Sequence, residues 1–533
     1  MNQVEIKKRQ AEIASYVLEM IILLVLGNIL GNNGIAYIAF AVECFLFFWT
    51  VTGSRVADVL GKLLRARSSR GQYKNANKLR KNALILEGTA GLAGSVILYA
   101  CAGLLGERLL GLIYMVAILR ILAPVVFLRT MVSVLLGYFQ GEGTELPSVI
   151  SYVMRQLCIL GFSVLFANLF GIYGHKVSAL LRLDDFTAMY GGMGVALGIL
   201  LAEVLVLLFL FLVYRGSRRK EKKSDNEGMR TTDTFGSQAV ILYSSLTAPV
   251  FTALLQQMPV WLGMFFFRRS VTDVAALNDY GIFYGKYLPL VGILFLPAWA
   301  LLLGNIYKVV GCVRRDEQRF ARGNFSAGLH MAVIYGMFFS VFMAIFAPQL
   351  TDVFCGAEVE LAVRMLRFGS FVILLSIIGF YLSEILLLLG GKIQVIGTLA
   401  LYNVVYVVML LLLLKSENSG VMSLIFAALI AGVVHIGVTS ALLFYQVRLG
   451  VDWLQGIAIP TGVACVTGLL FLFAGKVLTP HLGSLVTLIL CLALGQVCYW
   501  VQLLLVRNFG TQELGYMPGG NLIRKLGQLF RAF

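Results

Sequence analysis

From residue 11 almost to its end, the chain alternates between apolar runs of about 20 residues and short charged breaks. A helix of about 20 apolar residues matches the roughly 30 Å hydrocarbon core of a bilayer. Each run is therefore long enough to cross a membrane. Hydrophobic residues make up 59% of the chain and charged residues 13%, against roughly half and a quarter in soluble domains. Cutting at charged, Gly- or Pro-bearing breaks gives fourteen spans, the first two at 11–30 and 34–54 and the last two at 454–475 and 481–506. Lys7, Lys8 and Arg9 precede the first run with no small-residue cleavage site after it, so that run is expected to be an uncleaved span.

The 43 basic and 27 acidic residues give a net charge of +16, which in a membrane chain is first a question of topology. With both termini on the cytoplasmic side, 30 basic residues fall on inside segments and 7 on outside ones. That asymmetry predicts a multi-pass protein of the cell (cytoplasmic) membrane with both ends cytoplasmic, and no nucleic-acid partner is expected. The eight cysteines show no C-x-x-C spacing and read as small apolar residues.

The most polar stretch, RGSRRKEKKSDNEGMRTTDTFG from Arg215 to Gly236, separates two halves with weak repetition. Basic loops follow the second and eighth spans (Arg65 to Lys78 and Arg314 to Gly328). The expected fold is an all-α integral membrane protein with fourteen transmembrane helices, comprising two six-helix lobes related as repeats plus two extra C-terminal helices. Its parts are an N-terminal lobe at 1–214, a cytoplasmic linker at 215–237, a C-terminal lobe at 238–446, a two-helix unit at 447–507 and a cytoplasmic tail at 508–533. Same-sense repeats of this kind suit a transporter with a cavity between lobes.

Charges within spans cost several kcal/mol and mark functional positions by default. Six basic residues remain there: Arg120, Arg129, Arg155, Lys286, Arg364 and Arg367. Arg120 and Arg129 are nine residues apart and so lie on opposite faces of a straight helix. Arg129 shares a polar stripe with Ser133 and Gln140 and is the first choice for a cavity, with snorkelling to the headgroups as its alternative. Arg120 suits an interhelical contact. Arg155 suits an anionic headgroup near the cytoplasmic side or snorkelling, while Arg364 and Arg367 suit the outer interface.

In the seventh span Ser245, Pro249, Thr252, Gln256 and Pro259 follow one helical face and suit a cavity lining or interhelical hydrogen bonding. Lys286 lies among Tyr280, Tyr284 and Tyr287, which suit an interfacial belt or, as the alternative, a sugar platform. The intramembrane acids identified as coupling candidates are Glu43, Glu203 and Glu384; each suits either proton transfer or pairing with an intramembrane arginine. Gly194-x-x-x-Gly198 is a close-packing motif. Four scattered histidines without metal-ligand spacing, and no G-x-S-x-G or P-loop, argue against an enzyme.

The segment GYFQGEGTELPSVISYVMRQ (Gly137 to Gln156), with Gly137, Phe139, Gln140, Gly141, Pro147, Ser151 and Gln156 on the pattern, resembles a cytoplasmic hairpin of the multidrug/oligosaccharidyl-lipid/polysaccharide (MOP) flippase superfamily. GNNGIAYIAFAVECFLFFWTVTG (Gly31 to Gly53) and ELGYMPGG (Glu513 to Gly520) carry the same resemblance, nearest to the polysaccharide-transporter branch of stage V sporulation protein B and MurJ-like lipid II flippases. The departure is Arg155, where many relatives carry an acid.

The resemblance implies an alternating-access transporter, not an enzyme. It would flip an undecaprenyl-diphosphate-linked oligosaccharide or a lipid II-like peptidoglycan precursor to the outer leaflet, with cavity arginines on the diphosphate. Such a transporter is expected to work as a monomer among membrane lipids and without a bound cofactor or metal. Na⁺, H⁺ or the membrane potential would drive it. A cation-coupled multidrug exporter of the MATE type is the alternative, with an acidic cavity, and a membrane glycosyl transferase or ligase comes third.

Overall fold

The structure, a computed structural model, describes residues 3–182, 185–221, 233–271, 274–356, 360–415, 420–449, 454–506, 508–509 and 515–517. Residues 222–232 of the expected linker and most of the expected tail lie outside that set. Among the described residues every regular element is helical. The first half comprises α1 (Gln3–Thr52), α2 (Val56–Ser68), α3 (Tyr73–Gly103), α4 (Met115–Gly141), α5 (Leu146–Leu181), α6 (Asp185–Glu221) and α7 (Phe235–Ser270). It continues through α8 (Val274–Ile282), α9 (Leu288–Arg314), α10 (Gln318–Ile345), α11 (Ala347–Cys355) and α12 (Glu360–Gly369). The last helices are α13 (Phe371–Leu388), α14 (Lys392–Leu414), α15 (Met422–Val447) and α16 (Ile459–Leu505). A π-helical turn at Phe283–Tyr287 joins α8 to α9.

Among the described residues twelve helical segments are long and apolar enough to cross a bilayer, which makes this an all-α, multi-pass membrane fold. Two of the twelve contain a glycine with non-helical backbone: Gly31 in α1 (φ 68°, ψ 176°) and Gly483 in α16 (φ 75°, ψ 167°). Only glycine reaches that conformation at little cost, and each residue interrupts its helix. In α16 the interruption reverses the chain. The Tyr499 hydroxyl donates to the carbonyl of Pro460 at 3.1 Å, and the Thr467 hydroxyl donates to Gln502 Oε1 at 3.0 Å. Both pairs straddle Gly483 almost symmetrically, as antiparallel arms require. A 50-residue helix such as α1 would be about 75 Å long if unbroken. That exceeds twice the hydrocarbon thickness, and the break at Gly31 divides it.

The chain forms two compact units, one of Met1–Leu24 with Ile282–Phe533, the other of Val25–Gly281. The sequence-derived lobes divide the chain elsewhere, and side-chain packing accounts for the observed grouping. At the start of α1, Ile13 packs with Leu296 and Leu303 of α9, and the approach to Gly292 is so close that an added Cβ would lie 2.7 Å from Met20. In the other unit, Asn82 of α3 donates to Gln238 of α7 at 2.7 Å, while Arg67 of α2 pairs with Asp233 at 3.0 Å and Lys78 donates to the Asp233 carbonyl at 2.6 Å. These contacts hold α7 on the N-terminal helices.

The apolar stretch 360–388 forms two elements, α12 and α13. The short α12 buries Ala362, Val363, Met365 and Leu366 on one face and exposes Glu360, Arg364 and Arg367 on the other, a surface-helix pattern. All eight cysteines are free; Cys44 and Cys491 are buried, whereas Cys465 and Cys498 are exposed.

Candidate functional site

The Gly194/Gly198 motif fixes the crossing of α5 and α6. An added Cβ on Gly194 would strike the carbonyl of Phe166, and one on Gly198 would lie 2.5 Å from the backbone nitrogen of Ser163. Ser163 reinforces the crossing by donating to the Val195 carbonyl at 3.3 Å. Glycines permit this backbone approach because they carry no side chain. The antiparallel register it sets continues to Arg155 on α5 and Glu203 on α6, which face each other.

Glu203 is fully buried and gathers two arginines. Arg129 of α4 donates from Nε to Glu203 Oε1 at 2.7 Å, and Arg155 Nε lies 2.9 Å from the same oxygen. The Arg129 guanidinium also sits 5.1 Å from the ring centroids of both Phe45 and Trp49 on α1, a stacking that offsets part of its desolvation. One carboxylate against two guanidinium groups leaves a local charge of about +1. Among the described residues no other ion pair or hydrogen bond is made by either guanidinium. The two arginine side chains remain 15% and 13% exposed. Glu203 therefore orients both through Nε and leaves the terminal nitrogens, the atoms that fork around phosphate or carboxylate, uncommitted.

The other candidates are dispersed. Arg120 is exposed with its guanidinium 5.7 Å from the Tyr99 ring centroid, on the opposite side of α4 from Arg129. Gln140 is buried against Gly61, and its carbonyl accepts from Arg65 at 2.7 Å. Thr252 is buried and donates back to the Ala248 carbonyl at 2.9 Å. Gln256, one turn further on α7, is exposed and accepts from Arg55 at 3.2 Å. Thus the seventh-span stripe divides into a packed part and an open part.

Lys286 sits on the π-helical turn, 9% exposed. The tyrosines around it are not an interfacial belt, because they are buried: Tyr280 stacks on Phe40 and Phe267, and Tyr287 donates to the Gly369 carbonyl at 3.0 Å. Their hydroxyls and rings are spent on packing between helices. Glu43 is buried on α1. Glu384 pairs with Arg9 at 2.7 Å, and Arg9 also lies 5.9 Å from the Tyr307 ring centroid. Arg364 pairs with Glu360 on the exposed face of α12 at 3.3 Å.

Sequence reasoning missed three participants. Arg55 and Arg9 read as loop charges, and only their reach onto Gln256 and Glu384 gives them a place inside the protein. Glu87 is a fourth intramembrane acid, buried on α3 at 2% exposure. The signal for it was its place inside the apolar run ALILEGTAGLAG. Among the described residues no His, Cys, Asp and Glu grouping suits a metal ion.

In fold, this bundle of long apolar helices is similar to solved transporters of the MOP superfamily. The chain matches the inward-facing conformation of a multidrug resistance MATE family transporter of that superfamily with a TM-score of 0.63, at 13% identity over 81% of this chain and 94% of that one. It matches lipid II flippase MurJ, in an inward closed conformation, with a TM-score of 0.58, at 12% identity over 91% of this chain and 97% of that one. In sequence it is similar to stage V sporulation protein B of Bacillus subtilis (strain 168), 20% identical over 337 residues; that match covers 63% of this chain and 62% of the relative's length. No protein-family model matches.

Proposed function

We propose that the chain is an alternating-access transporter that carries a lipid-linked diphosphate sugar, an oligosaccharide or a peptidoglycan precursor, from the cytoplasmic to the outer leaflet. Counting α1 and α16 as two crossings each gives fourteen, with both termini cytoplasmic. The observation that carries the cargo reading is the pair of guanidinium groups held on Glu203 by Nε alone. A diphosphate offers several anionic oxygens to the free terminal nitrogens, in a region of low dielectric where the attraction is strong.

In this reading Arg129 and Arg155 bind headgroup, Gln256 is a further cargo contact, and the lipid tail stays in the bilayer. The protein acts as a monomer. Na⁺, H⁺ or the membrane potential supplies the drive, with Glu43, Glu203 and Glu384 as the coupling candidates, the last two held in ion pairs.

A second reading, a cation-coupled multidrug exporter, is favoured by the higher fold likeness to the MATE transporter than to the flippase. The two differ in the sign of the cargo. Purified protein in proteoliposomes would be given, in parallel, a fluorescent polyprenyl-diphosphate sugar and a fluorescent lipophilic cation. Flipping of the first without movement of the second supports the proposal; the reverse establishes the exporter.

A further inference from the structure

Glu87 stands apart from every function assigned above. On α3 it follows Leu79 and Ala83 at steps of four, and both of those are 0% exposed. Gly91, one turn further, is closed by Thr130, whose Cβ would lie 2.9 Å from an added Cβ. The glutamate thus occupies a core position on the face α3 turns toward α4. It flanks a cluster that includes Val59, Leu60, Val134, Leu242 and Leu246. Its Oε1 is enclosed and, among the described residues, it has no hydrogen-bond donor there and makes no ion pair.

The charges on the neighbouring elements are committed elsewhere. On α4, Arg129 is on Glu203 and Arg120 is on Tyr99. On α2, Arg65 reaches Gln140 and Glu145 and Arg67 reaches Asp233, while Asp58 and Lys62 make no ion pair with Glu87. On α3 itself Arg80 lies over the rings of Tyr138 and Tyr214 and meets Glu142 at 3.6 Å; Lys78 is on the Asp233 carbonyl. From α7 the facing titratable group is Tyr243, whose hydroxyl donates to the carbonyl of Leu86 at 3.4 Å and feels the charge of Glu87.

A carboxylate enclosed in this way, with neither cation nor donor, costs far more than the neutral acid, which needs only one acceptor. The α3–α7 seam runs up to it, through Asn82–Gln238 and then Leu86–Tyr243 on the residue next to it. We propose that Glu87 is a proton-binding site whose occupancy sets the packing of α7 on α3. One proton adds to the carboxylate oxygen as the seam closes and leaves as it opens; no other bond changes. This goes beyond the cargo proposal and holds for either sign of cargo.

The test uses full-length protein in lipid nanodiscs, wild type beside Glu87→Gln and Glu87→Asp. Infrared spectroscopy reads the protonated-carboxyl band, and spin labels at the exposed positions Ile85 and Val240 read the α3–α7 distance across a pH series. The expected result is a band at neutral pH that Glu87→Gln removes and Glu87→Asp shifts, with a pH-dependent distance in wild type that Glu87→Gln abolishes. An unchanged band in both variants, or a wild-type distance insensitive to pH, overturns the proposal. Should Glu87→Gln fail to fold, the Asp variant carries the same decision.

Discussion

Arg129 Nε and Glu203 Oε1 lie 2.7 Å apart inside the membrane-spanning part of the chain, and Arg155 approaches the same oxygen at 2.9 Å. The three residues come from three helices, so the cluster ties α4, α5 and α6 together. It also determines which atoms of the arginines face outward. Removing the carboxylate leaves two guanidinium groups repelling each other in a site built for a net charge of about +1.

Glu203→Gln should therefore destabilise the protein by about 3–5 kcal/mol, the cost of breaking a buried pair from one side. A thermal melt in detergent measures the loss. In a double-mutant cycle Arg129 and Glu203 should couple by more than 1 kcal/mol or so. A coupling near zero would mean that the two side chains do not meet.

The Arg9–Glu384 pair has the same length but a different setting, since its arginine side chain is 33% exposed. Water screens it, so Glu384→Gln should cost no more than about 1 kcal/mol. Raising the salt concentration should erase that difference while leaving the Glu203→Gln penalty largely intact. Equal salt sensitivity in the two variants would contradict the burial assigned here.

Backbone approach at the α5–α6 crossing gives a prediction independent of charge. Gly198→Leu should lower stability by about 1–3 kcal/mol or more, through overpacking against Ser163. It should also weaken the Arg155–Glu203 contact, seen as reduced anion binding. Gly437→Ala, on α15 with open space around its Cβ, is the control and should fall within about 0.5 kcal/mol of wild type.

An all-α, multi-pass membrane fold was legible because bilayer thickness imposes a length on every apolar run. Even the two glycine breaks follow from it, since residues 30–34 and 475–481 separate expected spans that the backbone at Gly31 and Gly483 also separates. Arg129, Arg155 and Glu203 were each visible as charges out of place, and pairing was one of two roles open to the acid. Their meeting was not visible, because it depends on the crossing register of helices 26 or more residues apart in sequence. Tyr280 and Tyr287 misled for a related reason. A tyrosine near a span end has the same sequence signature whether it faces headgroups or another helix, and here Phe40, Phe267 and the Gly369 carbonyl claim them. Glu87 was passed over because it lies only one turn inside the expected start of its span at residue 83, where an acid ordinarily reaches water.

The central claim is that the guanidinium groups held on Glu203 carry an anionic lipid headgroup across the membrane. Flipping of a fluorescent polyprenyl-diphosphate sugar in proteoliposomes tests it most directly, comparing wild type with Arg129→Ala and with Arg129→Lys, each checked for folding by thermal melt. The account predicts at least about a tenfold loss of rate in Arg129→Ala, worth 1.4 kcal/mol or more. Arg129→Lys should recover little, because lysine lacks the guanidinium fork. Folded Arg129→Ala protein that flips the lipid at the wild-type rate would contradict the account.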